Sequence, residues 1–515
     1  MAIAHDSTAL RQNHSLMRLY LLLIPGALIM SASMGYDSSL MNGIQGVDRW
    51  VAYFNNPTGS LLGIMNAILP LGAVFGTIPA AFISDRWGRK WAMCVGDIIM
   101  ILASAVQTAS LNTAMYMASR FIIGFGLTIA SSSAPMITAE LAHPESRTTL
   151  TSMYNTLWYL GSIIAAWTTF GSYRIQSDWA WRLPVLLQIV PAFINLAALY
   201  WLPESPRWLI GQDRQEEARQ ILVKYHAGGD QNSDFVAAEF HEICETLRLE
   251  KTEGTKTWRE LVRGRANQHR TFLVLCCAFF PQWSGAGLVS YYLAPVLRLM
   301  GITSQERITL INGIIQIWNM IVAMVGANLV GRVGRRPLFL TATSCMLVGM
   351  ISWTISGSLY AQRKSEATGA GILTCIIFFI SSYNICWNPL AVAYPVEIMP
   401  FQIRAKGIAL LMGSIKGASF FNQFVNPIGL QSLSWKYYIV YCIWLCIVLI
   451  TVFFMFPETK NHSLEDIAGI FERRHATSRD DKTVDAAQTE HMEDDMEKPQ
   501  GRITEDQIKY VVYIQ

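Results

Sequence analysis

Asp37, near the end of the first long apolar run (ALIMSASMGYDSSLMNGIQG), and Arg120, which opens another (MASRFIIGFGLTIASSSAP), are ionisable groups at depths that a bilayer would cover. Taking a charged side chain into hydrocarbon costs about 2.5–3.5 kcal/mol on insertion scales, so such groups usually face an interior cavity and serve a function. A nearby cation favours the ionised form of Asp37 and desolvation opposes it, so a small rearrangement between the two would load or release a proton. A fixed ion pair with no proton traffic is the other reading of the same residues. Lys416 adds a third charge, in the middle of IALLMGSIKGASFFNQFVNPIGL and too far from either end to snorkel. Three readings stay open for it: a cavity cation that recognises a carboxylate, a partner of Asp37 or a glutamate, or a lysine reaching inward water from a close-packed site between Gly413 and Gly417.

The elements that must hold these groups are apolar helices. The chain has 515 residues, 52% hydrophobic and 15% charged, with mean hydropathy +0.29. Soluble domains average about 25% charged residues, so this is the profile of a membrane protein. A spanning helix needs roughly 20 apolar residues. Twelve candidates meet that template, near 18–42, 60–83, 91–110, 114–137, 150–171, 184–202, 271–299, 308–330, 337–360, 371–395, 406–430 and 436–456. Basic residues cluster in the short even-numbered connections: Arg86, Arg89 and Lys90, Arg147, then Arg332, Arg335 and Arg336, then Arg404 and Lys406. The positive-inside rule places these loops, and with them both termini, in the cytosol. The first 17 residues are polar and the following run is too long for a signal core, so the first span reads as an uncleaved anchor. The nine cysteines show no metal or disulfide spacing and read as small packing residues.

The expected organisation is a cytosolic N-terminus (1–17), a six-helix bundle (18–202), a charged helical linker (203–270), a second six-helix bundle (271–456) and a cytosolic tail (457–515) too polar to fold alone. The bundles repeat one another. GTIPAAFISDRWGRKWAM after the second span answers GANLVGRVGRRPLFL after the eighth, and APMITAELAHPESRTTL after the fourth answers YPVEIMPFQIRAKGIAL after the tenth. Motifs recurring at matched places in two halves mark a duplicated carrier with its site between the halves near the midplane. Asp85, Arg86, Arg89, Arg332, Arg335 and Arg336 lie at helix ends beside glycine turns, where Glu140, Glu204, Glu397 and Glu458, with Arg147 and Arg404, can join them in one charge network. The expectation is a latch whose ion pairs form while the cytosolic side is closed and break as it opens.

GYDSS, DRWGRK, the R-x-x-x-G-x-G of Arg120, Gly124 and Gly126, PESPRW, QWSG followed by YY, GRVGRR, P-x-E-x-x-P-x-x-x-R and PETK occur in this order, and together they resemble the sugar porter family of the major facilitator superfamily over residues 18–470. The wording of GYDSSLMNG, QWSGAGLVSYYL and NPLAVAYPVEIMPFQIRAKG is similar to the fungal lactose/hexose permease branch. The resemblance implies an all-α twelve-helix protein working by alternating access, without cofactor or metal. Its proton-coupled members carry an acid at the Asp37 position and a base at the Arg120 position. The family's sugar-contacting positions fall on Asn155, Gln282, Tyr291 and Asn319, with Trp283, Tyr292, Trp387 and Asn388 as neighbours able to face the cavity.

Departures from the family pattern bear on the ligand. Pro281 replaces an expected Gln, Ala286-Gly287 stands where an Asn is usual, Gly331 where an acid is usual, and Ile137 and Val392 replace aromatics. With at least two amide contacts missing, an ordinary hexose should bind more weakly, or the ligand differs. The expected function is proton-coupled uptake of a hexose or a disaccharide such as lactose across the plasma membrane. The alternatives are a carrier for a sugar acid, quinate or another polyhydroxylated metabolite, imported or exported, and a non-transporting sensor on the same scaffold, which would need a signalling extension. The expected partners are the substrate, a proton and the lipid bilayer, with no nucleic acid, and the chain is expected to work as a monomer. No nucleophile–base or metal constellation suggests an enzyme. Gly124-x-Gly126 lies inside a span and is no nucleotide fingerprint, and the Asn461-His-Ser sequon should stay unglycosylated in the cytosol.

Overall fold

The computed structural model describes residues 13–252, 258–364, 366–460 and 471, and these are helical with no strand among them. Residues 1–12, the Asn461 sequon and nearly all of the C-terminal tail lie outside the described residues. Ten helical stretches are long and apolar enough to cross a membrane. One of them, Gln402–Met455, is two helices separated by a turn at Ser434–Lys436. A further helix, Arg147–Ser172, is too rich in hydroxyl and amide side chains to stand out by hydropathy. Twelve spans result: α1 (His14–Ile44), α2 (Gly59–Trp87), α3 (Arg89–Thr108), α4 (Thr113–Leu141), α5 (Arg147–Ser172), α6 (Trp179–Leu199), α7 (Arg265–Leu299), α8 (Gln305–Arg332), α9 (Arg335–Arg363), α10 (Glu366–Ile398), α11 (Phe401–Leu433) and α12 (Tyr437–Met455).

The duplication read from the loops is also a duplication of packing. In the first half α1 lies against α5, α2 and α3 against α4, and α3 against α6. In the second half α7 lies against α11, α8 and α9 against α10, and α9 against α12. The outward faces carry Phe75, Ile78, Phe82, Phe193, Ile443 and Ile450, apolar side chains that only lipid would cover. Trp87, Trp91, Tyr200 and Trp201 sit exposed at helix ends, where amphipathic rings favour a membrane interface.

The halves touch through α2 against α11, α5 against α8, and α1 against α7. These contacts are not spread evenly along the spans. One buried apolar cluster runs through the second half and takes in Tyr36, Met41, Ile44, Trp50, Leu62, Tyr116 and Trp181 of the first, all at the end away from the basic loops. The other large cluster, from Leu16 to Tyr225 and including Met93, Ile137 and Leu199, belongs to the first half alone. The core is therefore continuous between halves at one end and divided at the basic end.

Short helices after α6 (Pro206–Gly211, Gln215–His226 and Asp234–Thr252) fasten onto the basic end of the first half. Buried His226 places Nδ1 2.7 Å from Glu239 Oε2 and Nε2 3.3 Å from the Leu141 carbonyl, while Asn13 donates to the Tyr225 carbonyl at 3.0 Å.

Candidate functional site

α1 carries Pro25, which has no N–H to give the helix ladder, and the chain passes through a π-helical turn at Ile24–Leu28 before regular helix brings Asp37 to the centre of the molecule. Asp37 is 2% exposed, and neither carboxylate oxygen has a hydrogen-bond partner. Arg120 on α4 is 3% exposed with its Nε likewise unpartnered. The R-x-x-x-G-x-G spacing has a packing cause. A Cβ on Gly124 would meet the Leu69 carbonyl of α2, and one on Gly126 would meet Ile99 of α3, so the two glycines let α4 sit close to both neighbours while Arg120 points inward.

Asp37 and Arg120 line one partly open cavity together with Ser38, Asn66, Thr128, Tyr291, Lys416, Ser419 and Gln423. Arg120 supplies the charge that acts on Asp37, although the two are not hydrogen-bonded. Lys416 belongs to the same cavity, and among the described residues its ammonium has no ion-pair partner, so it is paired with neither Asp37 nor a glutamate in this conformation.

Other residues expected at the substrate site are distributed differently. Asn319 accepts from Asn384 Nδ2 at 2.9 Å, Asn384 Oδ1 accepts from Tyr159 at 3.2 Å, and Asn388 also bonds Tyr159. This polar chain joins α5 to α8 and α10 across the halves at mid-span. Asn155 and Asn388, each one turn nearer the basic end, are exposed. Gln282 is half-buried, and its carbonyl accepts from Asn422. Trp283 does not face the cavity: its indole donates to the Ala418 carbonyl at 3.1 Å, and its ring packs against Phe279, Phe421 and Trp444. Tyr292 is fully buried with its hydroxyl on the Gln423 carbonyl. Trp387 donates to Thr343 at 3.1 Å inside the second half. In these three cases a backbone carbonyl or a hydroxyl on a neighbouring helix satisfies the polar tip that would otherwise have reached a ligand.

Opposite the basic end the cavity is shut by α7, which breaks twice. Gly285 adopts φ +96°, and Tyr292 leaves helical geometry at φ −134°, ψ 28°. The second break separates Leu293 N–H from its normal acceptor, the Val289 carbonyl. Asn42 of α1 occupies both groups: its Oδ1 accepts from Leu293 N at 2.9 Å, and its Nδ2 donates to Val289 O at 3.2 Å and to Asn312 Oδ1 at 2.9 Å. Gln45 Nε2 donates to the Tyr291 carbonyl at 2.9 Å. Farther out, Arg298 and Asp48 approach to 3.5 Å, and Arg174 and Glu306 to 3.8 Å. Asn42, Gln45, Asn66, Ser419 and Gln423 were not singled out from sequence, nor was Asp97, a fully buried acid on α3 with both oxygens unpartnered. Polar residues every third or fourth position of α11 (Lys416, Ser419, Gln423) were a signal that could have found the last two cavity groups.

At the basic end, the expected latch takes a different form. Arg89 Nε donates to Glu140 at 3.3 Å, and Arg335 Nη2 to Glu397 at 2.8 Å, each pair lying wholly within one half. Glu204 accepts from the backbone N–H groups of Arg89 and Lys90 at 3.2 Å, and Glu458 from those of Arg335 and Arg336 at 2.8 and 3.1 Å. The two glutamates thus cap the N-termini of α3 and α9, where anions are favoured. Gly88 (φ +104°) and Gly334 make room, since a Cβ on either would collide with the capping carboxylate. Asp85 reaches Arg89 at 3.5 Å but is mostly exposed. Arg404 donates to the Met399 carbonyl at 3.1 Å, and Arg336 to that of Phe453 at 2.7 Å. The side chains of Arg86, Arg147 and Arg332 are exposed, with no ion pair among the described residues. These pairs hold each half together while the basic end stands divided, so they do not bridge the halves here.

Burial alone would raise the Glu458 carboxyl, but the N–H groups of Lys460, Arg335, Arg336 and Thr459 outweigh it and hold the group below its ordinary value. At Glu204 burial prevails over the N–H groups of Ser205, Lys90 and Arg89, and its carboxyl lies above the ordinary value.

Two six-helix halves with matching internal packing, closed together at one end around a charged cavity, define a membrane carrier of the major facilitator fold. Residues 23–471 match the family described as "Sugar (and other) transporter", and the chain belongs to that family. It is 28% identical over 446 residues to MFS-type transporter criB of Aspergillus cristatus (86% of this chain, 92% of that one). It is 30% identical over 471 residues to MFS glucose transporter mfs1 of Aspergillus flavus (85% and 87%). The fold matches the inward open conformation of the xylose transporter XylE from E. coli with TM-score 0.73 at 22% identity, over 88% of this chain and 99% of that one. The chain is a multi-pass membrane protein of a transporter family, not an enzyme.

Proposed function

We propose that this chain takes up a polyhydroxylated substrate together with a proton across the plasma membrane. The positive-inside rule puts the basic end in the cytosol, so the conformation described faces inward. The observation that carries the reading is Asp37: a buried carboxylate, with no hydrogen bond to either oxygen, in the same cavity as Arg120. A site that must exchange a proton gains from leaving its acid without fixed partners, because the balance between desolvation and the Arg120 charge then decides occupancy. Glucose and xylose in the names of similar transporters support a sugar-like ligand, as do the amides and hydroxyls of Asn66, Tyr291, Ser419 and Gln423 around the cavity.

Closing the basic end would bring α4 and α10 together while releasing the contacts of Asn42, Gln45 and Arg298, an exchange of one sealed end for the other. Asp37→Asn removes the titrating group and keeps the shape. In carrier-deficient cells the variant should lose uphill accumulation of substrate while still exchanging labelled for unlabelled substrate across the membrane. Full, uncoupler-sensitive accumulation by the variant would end the proton-coupled reading.

A further inference from the structure

We infer that Lys416 is the anchor for a substrate carboxylate, so that the ligand class of the cavity is a polyhydroxylated monoanion such as a uronate, an aldonate or a cyclic polyol acid. The inference rests on the carrier reading above and names its substrate.

Position is the first argument. Lys416 sits near the middle of α11, about 22 Å along the helix from the nearer end by helical rise, beyond the reach of a snorkelling side chain. Lys416 is half-buried and lines the cavity. Helices α2, α7, α10 and α12, which pack against α11, bring no acid to the cavity lining, and neither does α11 itself. The one acid there among the described residues is Asp37 of α1, already facing Arg120 of α4. Two cations therefore share a single carboxylate, and Lys416 makes no ion pair with it. An ammonium partly withdrawn from bulk water without a counter-charge is costly, and a carboxylate ligand supplies both the charge and a strong, charge-assisted hydrogen bond.

The rest of the α11 face fits the same ligand. Ser419 and Gln423 follow Lys416 at i+3 and i+7, so ammonium, hydroxyl and amide form one stripe toward the cavity, with Gln423 Nε2 donating to Ser419 Oγ at 3.0 Å. A carboxylate on Lys416 would place a polyol's hydroxyls along that stripe, beside Tyr291. Specificity would then come from an extra charge contact, which a neutral sugar leaves unanswered.

Charge balance gives the inference a signature of its own. One proton on Asp37 moving with one monoanion carries no net charge, whereas one proton with a neutral sugar carries +1.

The test uses the purified full-length protein. Binding of galacturonate, gluconate and quinate is compared with that of galactose, glucose and lactose by tryptophan fluorescence and calorimetry, for wild type, Lys416→Gln and Lys416→Arg. The acids should bind at least tenfold more tightly than the neutral compounds. K416Q should lose at least tenfold for the acids and less than threefold for the neutral ones, and K416R should recover part of the loss, which separates charge recognition from misfolding. In proteoliposomes, uptake of the preferred acid should follow the pH gradient and ignore an imposed potassium-diffusion potential. Neutral sugars binding as tightly as acids, acids binding K416Q as well as wild type, or no binding of any of these acids by wild type would each overturn the assignment. Lys416-dependent acid binding without gradient-driven uptake would remove proton coupling and leave Lys416 as the anchor. Proton-driven uptake of neutral sugar with no acid binding would do the reverse.

Discussion

One amide ties α1 to the broken part of α7 at the closed end of the cavity. Asn42 fills the place of the α7 hydrogen bond missing between Leu293 N–H and Val289 C=O. Asn42→Ala leaves both groups buried and unpaired, and each such group costs about 1–3 kcal/mol. The closed arrangement should lose stability relative to one in which the halves part there. A Thr309→Cys reporter lies at a position only 1% exposed, beside Gly46 of the other half. It should be nearly unreactive toward impermeant maleimide while Asn42 is in place, and should label severalfold faster when combined with Asn42→Ala. Equal labelling would show that the amide does not hold the closure. At this scale the charged residues were legible in the sequence and the amide was not. Asp37, Arg120 and Lys416 stand out because charge in an apolar run is expensive wherever the helix ends up. Asn42 acquires its role from a kink at Tyr292, some 250 residues away, and nothing local announces that. Trp283 and Tyr292 misled for the complementary reason: their side chains suggest ligand contact, and only the packing shows that α11 carbonyls already occupy them.

Among the elements, α3 and α9 are related by both their arginine turns and their caps. Glu458 accepts from four backbone N–H groups, including Thr459 and Lys460 at 3.0 and 2.9 Å. Removing it as Glu458→Ala should lower thermal stability by about 1–2 kcal/mol, as loss of a cap at a helix N-terminus does, with a drop in Tm as the readout. The pH response of the two caps has opposite sign. Glu458 is held below its ordinary value, so its stabilisation is full above the unfolded value and is lost only as pH falls through the lower folded one. Glu204 is held above its ordinary value, so its ionisation costs stability as pH rises. Glu204→Gln should therefore change Tm little at neutral pH, and the gap between Glu458→Ala and wild type should close on strong acidification. A larger Tm loss for Glu204→Gln than for Glu458→Ala would contradict the assignment. The recurrence of PES and PET was visible in the sequence. That their glutamates cap helix ends instead of latching the halves was not, because partner choice among the arginines of these loops depends on which helix ends on which side. α5 was read from sequence as the span near 150–171 on the length of its apolar run, although its many hydroxyls keep its hydropathy low. Those groups also serve the polar chain through Tyr159.

For the molecule as a whole, the halves rest on one another through close backbone approach at α2 and α11. A Cβ on Gly63 would run into the Phe424 carbonyl, so Gly63→Val should wedge the closed end apart. The variant should insert and fold, lose net uptake, and expose the Thr309→Cys reporter without any change at Asn42. Normal uptake would mean that this approach is dispensable. The twofold architecture followed from repeated loop motifs, since a duplicated chain keeps its turn chemistry. Which end of the cavity is shut did not, because motifs that recur within each half carry no record of how the halves tilt against one another.

The stretch just past α12 has a further consequence. Glu458 caps α9, Thr459 Oγ1 donates to Glu397 at 2.6 Å, and Lys460 Nζ reaches the Arg332 carbonyl at the end of α8. Three consecutive residues thus rivet the foot of one helix to the feet of three others. Replacing Glu458, Thr459 and Lys460 together by Ala removes that rivet and leaves the buried ring of Phe471 in place. The triple variant should therefore lose the resistance to detergent extraction that the wild-type protein shows.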